Sequence, residues 1–275
     1  MRQSEALFQH VQNIPEITAR LSDAVKEHEL AAIGVSVKPR PQDDSYLPVF
    51  LPGLALGEAL GNLLGIPCHK LTHQETHIWG GLASADGPKS PDFLVIHLSG
   101  GTTELTAVSR SEETNQLQIK LLGGTLDLHA GQYVDRLGVK LGLPFPAGPS
   151  LEKMAQRTSE TVPVATFHRG GMVSFSGPLT ALENMLGEVS PEVCARTCFV
   201  SIARTVVKWI QWAAETYSSR ELLIVGGVAS NQIIRDTLRA RLPDWQLYFA
   251  DPVYSVDNAY GAAFFSFLAS GGKGR

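Results

Sequence analysis

Two histidines lie one helical turn apart in residues 73–77, whose sequence is HQETH. At a spacing of i, i+4 both imidazoles leave the same face of a helix, so His73 and His77 could bind one metal ion. A third ligand would have to come from another segment, and Asp257 in the run SVDNAYGAA is the best candidate. The pattern therefore indicates a site with two histidines and one carboxylate. The alternative is a half-buried helix that carries two polar histidines.

This segment differs from the HExxH signature of zinc peptidases at a position that hydrolysis needs. In that signature a glutamate directly after the first histidine polarises a metal-bound water, and here that position is Gln74. The acid is Glu75, about 200° round the helix from His73, so we expect it to point away from the face that the histidines share. The sequence favours a metal site without a peptidase base.

Glycine-rich turns follow two apolar runs that are typical of buried strands. Residues 93–98 lead into SGGTT at residues 99–103, and residues 222–225 lead into GGVASN at residues 226–231. Glycine lets a phosphate oxygen approach backbone N–H groups closely, so either turn could bind a nucleotide. An ordinary hairpin turn is the alternative for the first.

The elements that would position these residues alternate between helix and strand. Residues 3–28 carry apolar side chains at helical spacing interrupted at Pro15, which predicts two short helices. A strand, a helix and a second strand then lead into the HQETH helix, which predicts a parallel sheet. A further helix is predicted for residues 126–141, with Leu126 in its buried stripe. The chain is expected to be an α/β protein.

Composition and charge narrow the class of protein. The 275 residues are 44% hydrophobic and 18% charged, as in globular α/β proteins. The formal net charge of -4 gives no general attraction to nucleic acid, so such a partner would need a local basic patch. Arg235, Arg239 and Arg241 share one predicted helix, where a solvated basic face is the simplest interpretation.

The cysteines and the absence of long apolar runs bear on the compartment. The sequence has three cysteines and no CxxC spacing, so we expect reduced thiols in a cytoplasmic protein. Cys194 and Cys198 share a helix face and are predicted to pack in the core. No run is long and apolar enough to span a membrane, so no membrane partner is expected.

Five motifs together carry a resemblance that none of them carries alone. In chain order they are LSGGTTEL, GGTLDLHAGQYVDRLGVKLGLPFPAGPSLEKMA, SFSGPLTAL, LIVGGVASN and SVDNAYGAA. Their order and spacing resemble the glycoprotease family, now understood as the transferase subunit of tRNA threonylcarbamoyladenosine synthesis, over residues 2–263. The resemblance implies an α/β fold of the actin-like ATPase (ribonuclease-H-like) type, with two lobes of mixed sheets flanked by helices. Residues 1–88 and 255–275 would form an incomplete first lobe with the metal ligands, and residues 92–254 the second lobe with the nucleotide contacts.

The resemblance also implies ligands and partners. The metal ligands would be His73, His77 and Asp257. The nucleotide and substrate contacts would be Leu98, Ser99, Gly100, Gly101, Thr102, Asp135, Gly148 and Asn231. The cofactors would be one divalent metal, iron or zinc, and an adenine nucleotide, either ATP or threonylcarbamoyl-AMP. In such enzymes a tRNA adenine amine attacks the metal-held threonylcarbamoyl group, so positioning and Lewis-acid polarisation are expected rather than covalent catalysis. Transfer RNA would be reached through a complex.

The chain also departs from the family pattern. Thr102 replaces a histidine, Leu179 replaces a lysine, and Gly124, Leu128 and Gln132 replace acidic residues. The opening strands of the family are not present before Met1, so sheet edges would be exposed, and a related actin-like subunit or a homodimer partner is expected to cover them. Three functions are compatible: the transferase, a non-catalytic scaffold that binds nucleotide and metal, and an O-sialoglycoprotein metalloendopeptidase. The third lacks a base at Gln74.

Overall fold

A computed structural model of the chain describes residues 3–26, 28–42, 45–255 and 259–272. Its α-helices in these ranges are α1 (Gln3–Lys26), α2 (Leu51–Leu64), α3 (His73–Ser84), α4 (Ala130–Lys140), α5 (Gly148–Ala155), α6 (Ser176–Asn184), α7 (Pro191–Ala213), α8 (Gln232–Arg241) and α9 (Tyr260–Ala269). Its strands are β1 (Ile33–Lys38), β2 (Cys68–Thr72), β3 (Asp92–Leu98), β4 (Thr103–Arg110), β5 (Leu117–Gly124), β6 (Phe167–Arg169), β7 (Met172–Ser174), β8 (Glu221–Val225) and β9 (Gln246–Phe249).

The first of two compact units comprises residues 1–83, 111–117 and 257–275. Strands β1 and β2 pair in parallel, which confirms the sheet type predicted from the order of the elements. Gly57 of α2 lies against Val35, whereas Gly34 lies against Ala262 of α9. Successive residues of a strand face opposite sides, so α2 and α9 cover opposite faces of this sheet.

The second unit comprises residues 84–110 and 118–256 and contains a mixed sheet in the order β5-β4-β3-β8-β9. Strand β3 is antiparallel to β4 and parallel to β8, and β8 is parallel to β9. Helix α7 is buried along most of its length and packs with α4, α5, α6 and α8. A mixed sheet flanked by helices is the architecture that the sequence predicts for this part of the chain.

The prediction of two short helices in residues 3–28 is wrong. Helix α1 is continuous from Gln3 to Lys26 and contains Pro15. A proline inside a helix costs about 3 kcal/mol, because it removes one N–H and crowds the preceding turn. The packing of α1 against α2 and against the short 3-10 helix Pro48–Phe50 favours one continuous helix. Periodicity alone does not include this tertiary contribution.

The helix predicted for residues 126–141 begins later than expected. Helix α4 starts at Ala130, and the Leu126 side chain is 59% exposed instead of buried. The boundary is set by a capping box, in which the Gln132 side chain accepts a hydrogen bond from the His129 N–H at 3.1 Å. Glutamate and glutamine both suit this position, so Gln132 keeps a structural role where the family has an acid.

Cys194 and Cys198 are fully buried on α7, which confirms that they are core residues. Burial raises the pKa of both thiols. In the described parts of the chain, no helix has the length and apolar character that crossing a membrane requires.

Candidate functional site

The two glycine-rich turns lie side by side because they follow parallel neighbouring strands. His97 of β3 pairs with Val225 of β8, so both strands end at the same edge of the sheet. Gly226 has a φ of 100°, and a Cβ there would lie 2.3 Å from the Leu98 carbonyl oxygen. Only glycine allows this conformation and this approach. The carboxyl edge of parallel strands is the usual ligand site of α/β sheets, and the second unit brings both turns to it.

Ser99 holds the first turn in a fixed shape. Its side-chain oxygen accepts hydrogen bonds from the N–H groups of Thr102 at 3.0 Å and Gly101 at 3.3 Å. Its own N–H donates to the Thr102 carbonyl at 2.8 Å. A Cβ on Gly100 or Gly101 would meet no atom within 4 Å. The turn is therefore rigid and presents an open backbone surface.

Helix α4 begins directly on this turn. The Gly131 N–H donates to the Ser99 carbonyl at 3.0 Å, and a Cβ on Gly131 would lie 2.7 Å from the backbone of Gly100. The buried Thr103 hydroxyl accepts a hydrogen bond from the Ala130 N–H at 2.8 Å. The sequence places Thr103 in the first turn, but it did not indicate that this hydroxyl binds the start of α4.

Asp135 and Gly148, two of the predicted contacts, are neighbours in the structure. The Asp135 Oδ1 accepts a hydrogen bond from the Ala147 N–H at 2.8 Å, and Gly148 is the first residue of α5. Asp135 therefore shapes the loop that precedes α5, using only one of its two oxygens in this bond. Within the described residues the other oxygen has no hydrogen-bond partner, and Asp135 lines the pocket described next.

A pocket of about 890 Å³ adjoins the first turn on the α4 side. Gly100, Gln132 and Asp135 contribute polar groups to its wall, and Leu128 and Leu179 contribute apolar ones. The two leucines are buried, and both are among the departures from the family pattern that the sequence indicates. Three of the five departures, Leu128, Gln132 and Leu179, therefore line one pocket, and the two leucines make its wall less polar.

Asn231 combines a structural bond with an unsatisfied group. Its side-chain carbonyl caps α8 by accepting a hydrogen bond from the Ile234 N–H at 3.0 Å. Its side-chain Nδ2 is buried, and the residues that the structure describes provide no acceptor for it. An unsatisfied buried donor costs about 1–3 kcal/mol. An oxygen of a bound ligand would remove that cost, so this observation fits the predicted contact.

The first unit carries the histidine pair at the start of α3. The Nε2 atoms of His73 and His77 lie 3.2 Å apart. Two nitrogens at the usual zinc distance and tetrahedral angle would be separated by about 3.3 Å, so the pair fits a shared metal ion. The same distance also allows a hydrogen bond between the rings. Asp257 lies outside the described residues, and the described residues contain no group of three or more histidine, cysteine or acidic side chains that could hold a metal.

Glu75 is used as a helix cap. Its Oε2 accepts a hydrogen bond from the Thr72 N–H at 2.6 Å, and its own N–H donates to the Thr72 hydroxyl at 3.2 Å. This reciprocal pair is a capping box at the start of α3. The carboxylate is therefore committed to the backbone before the helix, in agreement with the prediction that it is not a peptidase base.

Asp127 is a second residue whose role the sequence reasoning missed. Its carboxylate accepts hydrogen bonds from the Leu128 and Phe175 N–H groups at 2.6 and 2.9 Å, and from the hydroxyls of Ser174 and Ser176. Partial burial raises the pKa of Asp127, but these hydrogen bonds together outweigh burial and hold the pKa well below its usual range. Asp127 thus ties the start of α6 to the turn before α4 along the edge of the pocket.

Replacing Asp127 by asparagine is expected to lower the free energy of unfolding by about 1–2 kcal/mol near neutral pH, allowing for solvent screening of this exposed residue. Because the folded-state pKa is depressed, the carboxylate stabilises the protein above about pH 4, and this contribution is lost as the pH falls below that value. The difference in the free energy of unfolding between the wild type and Asp127→Asn should therefore decrease as the pH is lowered. Urea unfolding at several pH values will measure it. Asp244→Asn, at an exposed site, is the matched control, and an equal loss in both variants would contradict the prediction.

Comparison with known proteins identifies relatives over most of the chain. The sequence model of the family described as TsaD, tRNA N6-adenosine threonylcarbamoyltransferase, matches residues 4–264. A curated protein of that name from Chloroherpeton thalassium is 30% identical over 262 residues, which cover 86% of this chain and 71% of the relative. One from Moorella thermoacetica is 30% identical over 266 residues, with 91% and 74% covered. One from Ralstonia pickettii is 31% identical over 230 residues, with 78% and 65% covered.

Solved structures are similar in fold at low sequence identity. HypF from T. kodakarensis has a TM-score of 0.62 at 13% identity, and the match covers 79% of this chain but only 39% of HypF. A glucokinase of the ROK family from Streptomyces griseus, solved with glucose and AMPPNP, has a TM-score of 0.51 at 14% identity, with 94% of this chain and 88% of the enzyme covered. These similarities show the fold alone, and they confirm the predicted α/β class of the actin-like ATPases.

Proposed function

This chain belongs to the TsaD family of tRNA N6-adenosine threonylcarbamoyltransferases, and we propose that it transfers threonylcarbamoyl from threonylcarbamoyl-AMP to a tRNA adenine. In this reaction the adenine N6 amine attacks the carbamoyl carbonyl carbon, the bond from that carbon to the phosphate oxygen breaks, and AMP and the amine proton leave. The observation that carries the proposal is the pair of glycine-rich turns at the shared edge of β3 and β8. Both turns lie within motifs that resemble those of the family.

The adenylate is proposed to lie against these turns. Support comes from the open surface over Gly100 and Gly101, where no atom stands within 4 Å of a built Cβ, and from the unsatisfied Nδ2 of Asn231. Asp135 would accept a hydrogen bond from a ribose hydroxyl through the oxygen that Ala147 does not use. These groups would bind and orient the substrate, so the proposed catalysis comes from positioning rather than from a covalent intermediate.

One divalent metal, iron or zinc, is proposed to bind to His73 and His77, with Asp257 as the third ligand. The 3.2 Å separation of the two Nε2 atoms supports the first two ligands, and this donor set suits either metal. For the third ligand, support comes from the close packing of α9 against α3. A Cβ on Gly261 of α9 would lie only 1.9 Å from the Thr76 carbonyl oxygen of α3. Asp257 precedes this helix in the sequence and lies outside the described residues, so its assignment as the third ligand rests on the family pattern. A bound metal would act as a Lewis acid on the substrate carbonyl.

The first test is calorimetric titration of ATP into the protein. Replacing Asn231 by alanine is expected to weaken ATP binding by about tenfold, because it removes both the donor and the cap of α8. Asn231→Asp keeps the cap oxygen for the Ile234 N–H but lacks the amide donor, so a loss of ATP affinity in this variant would come from the donor and not from the cap. Asn62→Ala, at an exposed position of α2, is the control. Unchanged affinity in both Asn231 variants would remove this residue from the proposed site.

A non-catalytic scaffold is the second candidate function. It is favoured by Leu128 and Leu179, which place buried apolar side chains in the pocket where the family has an acid and a lysine. Protein that binds ATP and metal but forms no threonylcarbamoyladenosine in tRNA, measured by mass spectrometry of digested nucleosides, would support the scaffold. A peptidase has no such support, because Glu75 is engaged as a cap. The expected protein partner, a related actin-like subunit or a second copy, stays a prediction.

A further inference from the structure

A groove of about 480 Å³ runs between α7 and α8 in the second unit. Arg196 and Arg204 of α7 line one side of it, and Arg241 of α8 lines the other. The sequence reasoning did not anticipate this arrangement, because the three arginines come from two helices that are separated in the chain. The groove is open to solvent, and its lining shares no residue with the pocket beside the first turn.

The three arginines have no counter-ion in the described parts of the chain, where none of them has a hydrogen-bond or ion-pair partner. Arg196 and Arg204 are also only partly exposed. Partial burial of a cationic side chain without a paired anion is unfavourable. This cost suggests that an anion occupies the groove in the functional state of the protein.

The acidic side chain in the groove does not neutralise this charge. Asp236 accepts hydrogen bonds from the Gln232 Nε2 at 2.7 Å and from the Arg239 Nη1 at 3.3 Å, so a cation outside the lining already shares its charge. The groove therefore keeps a net positive charge within a chain whose formal net charge is -4. This is the local basic patch that a nucleic-acid partner of an acidic protein would require.

The predicted basic face of Arg235, Arg239 and Arg241 is not a single solvated surface. Arg235 donates hydrogen bonds to the carbonyl oxygens of Ala229 at 3.0 Å and Ala250 at 2.8 Å, so its guanidinium is used to link segments of the backbone. Arg239 pairs with Asp236, and only Arg241 faces the groove. The positive charge is therefore concentrated between the two helices instead of along one of them.

We infer that this groove binds the phosphodiester backbone of the RNA substrate. Arginine is suited to this because its planar guanidinium can donate two parallel hydrogen bonds to phosphate oxygens. Arg196 and Arg204 are separated by about 12 Å along α7, so they would contact different phosphates. Gln232 in the groove lining directly follows Asn231, so an RNA strand in the groove would pass beside the proposed nucleotide turn. The inference rests on the proposed function, which makes transfer RNA the substrate.

The test is binding of an unmodified tRNA transcript, measured by fluorescence anisotropy over a range of salt concentrations. Each phosphate contact contributes about 0.7–0.9 to the slope of log K against log salt. The double variant Arg196→Gln, Arg204→Gln is expected to reduce that slope by about 1.5 and to weaken binding at low salt at least about tenfold. Arg169→Gln, an exposed arginine of the same unit, is the control and should leave both quantities unchanged.

ATP titration of the same proteins separates this inference from the proposed function. Loss of tRNA affinity and slope in the double variant, with wild-type ATP binding, would support the groove as the RNA site. An unchanged slope, or tRNA transfer activity equal to that of the wild type at limiting tRNA, would overturn it while the proposed function stands. Displacement of tRNA by polyglutamate at equal charge concentration would assign the groove to an acidic protein instead. Absence of both ATP and tRNA binding in the wild type would overturn the proposed function as well.

Discussion

Protein in which His77 is replaced by alanine is expected to retain no stoichiometric metal and to lose threonylcarbamoyl transfer by about 100-fold or more. The reason is that a Lewis acid contributes several kcal/mol to such reactions, and each 1.4 kcal/mol corresponds to a factor of about ten. His77 is buried, and its Nε2 lies 3.2 Å from that of His73. A side chain from the surface would not reach this buried position to replace it as a metal ligand. Metal content per chain by mass spectrometry, after reconstitution with iron or zinc, is the first measurement.

The control for this variant is His10→Ala, which removes an exposed histidine of α1 and should change neither metal content nor transfer. Asp257→Ala tests the proposed third ligand, and a loss equal to that of His77→Ala is expected. Full metal content in His77→Ala would show that the two histidines form only a hydrogen-bonded pair. Retained metal content with lost transfer would place His77 in the reaction without a role in metal binding.

The second large effect is expected for Gly131→Ala. Replacing glycine by alanine within a helix usually stabilises it by about 0.5–1 kcal/mol. Here the opposite sign is expected, because the new Cβ would lie 2.7 Å from the backbone of Gly100, which cannot rotate away as a side chain could. We expect a loss of about 2–3 kcal/mol in the free energy of unfolding. ATP affinity should also fall at least about tenfold, since α4 would move the turn that Ser99 holds.

Urea unfolding and ATP titration of Gly131→Ala and Gly177→Ala together test this prediction. Gly177 lies in the first turn of α6, and a Cβ there would meet no atom within 4 Å, so its replacement should be neutral or slightly stabilising. Equal behaviour of the two variants would show that the contact between α4 and the turn is not essential. Reduced stability with unchanged ATP affinity would show that the nucleotide does not bind at this turn.

Some features of the site could be predicted because they depend on neighbouring residues only. The histidine pair follows from the helical repeat, and the position of Glu75 away from it follows from the same geometry. The continuity of α1 and the start of α4 were predicted less well. Pro15 is tolerated because α1 packs on other elements, and Leu126 is exposed because the capping box at His129 begins the helix later. The continuity of α1 and the start of α4 both depend on hydrogen bonds or contacts that cannot be read from the spacing of apolar residues.

The sequence by itself determined the family, the fold class, the spacing of His73 and His77, and the glycines that allow close approach. Only the tertiary structure decided that the turns after β3 and β8 are neighbours, that Asn231 has a buried donor without an acceptor, and that arginines of α7 and α8 face one groove. The physical reason is that local sequence sets which conformation and which face of an element is favourable. The free energy of packing the whole core selects which elements become neighbours, and that selection depends on all of them at once.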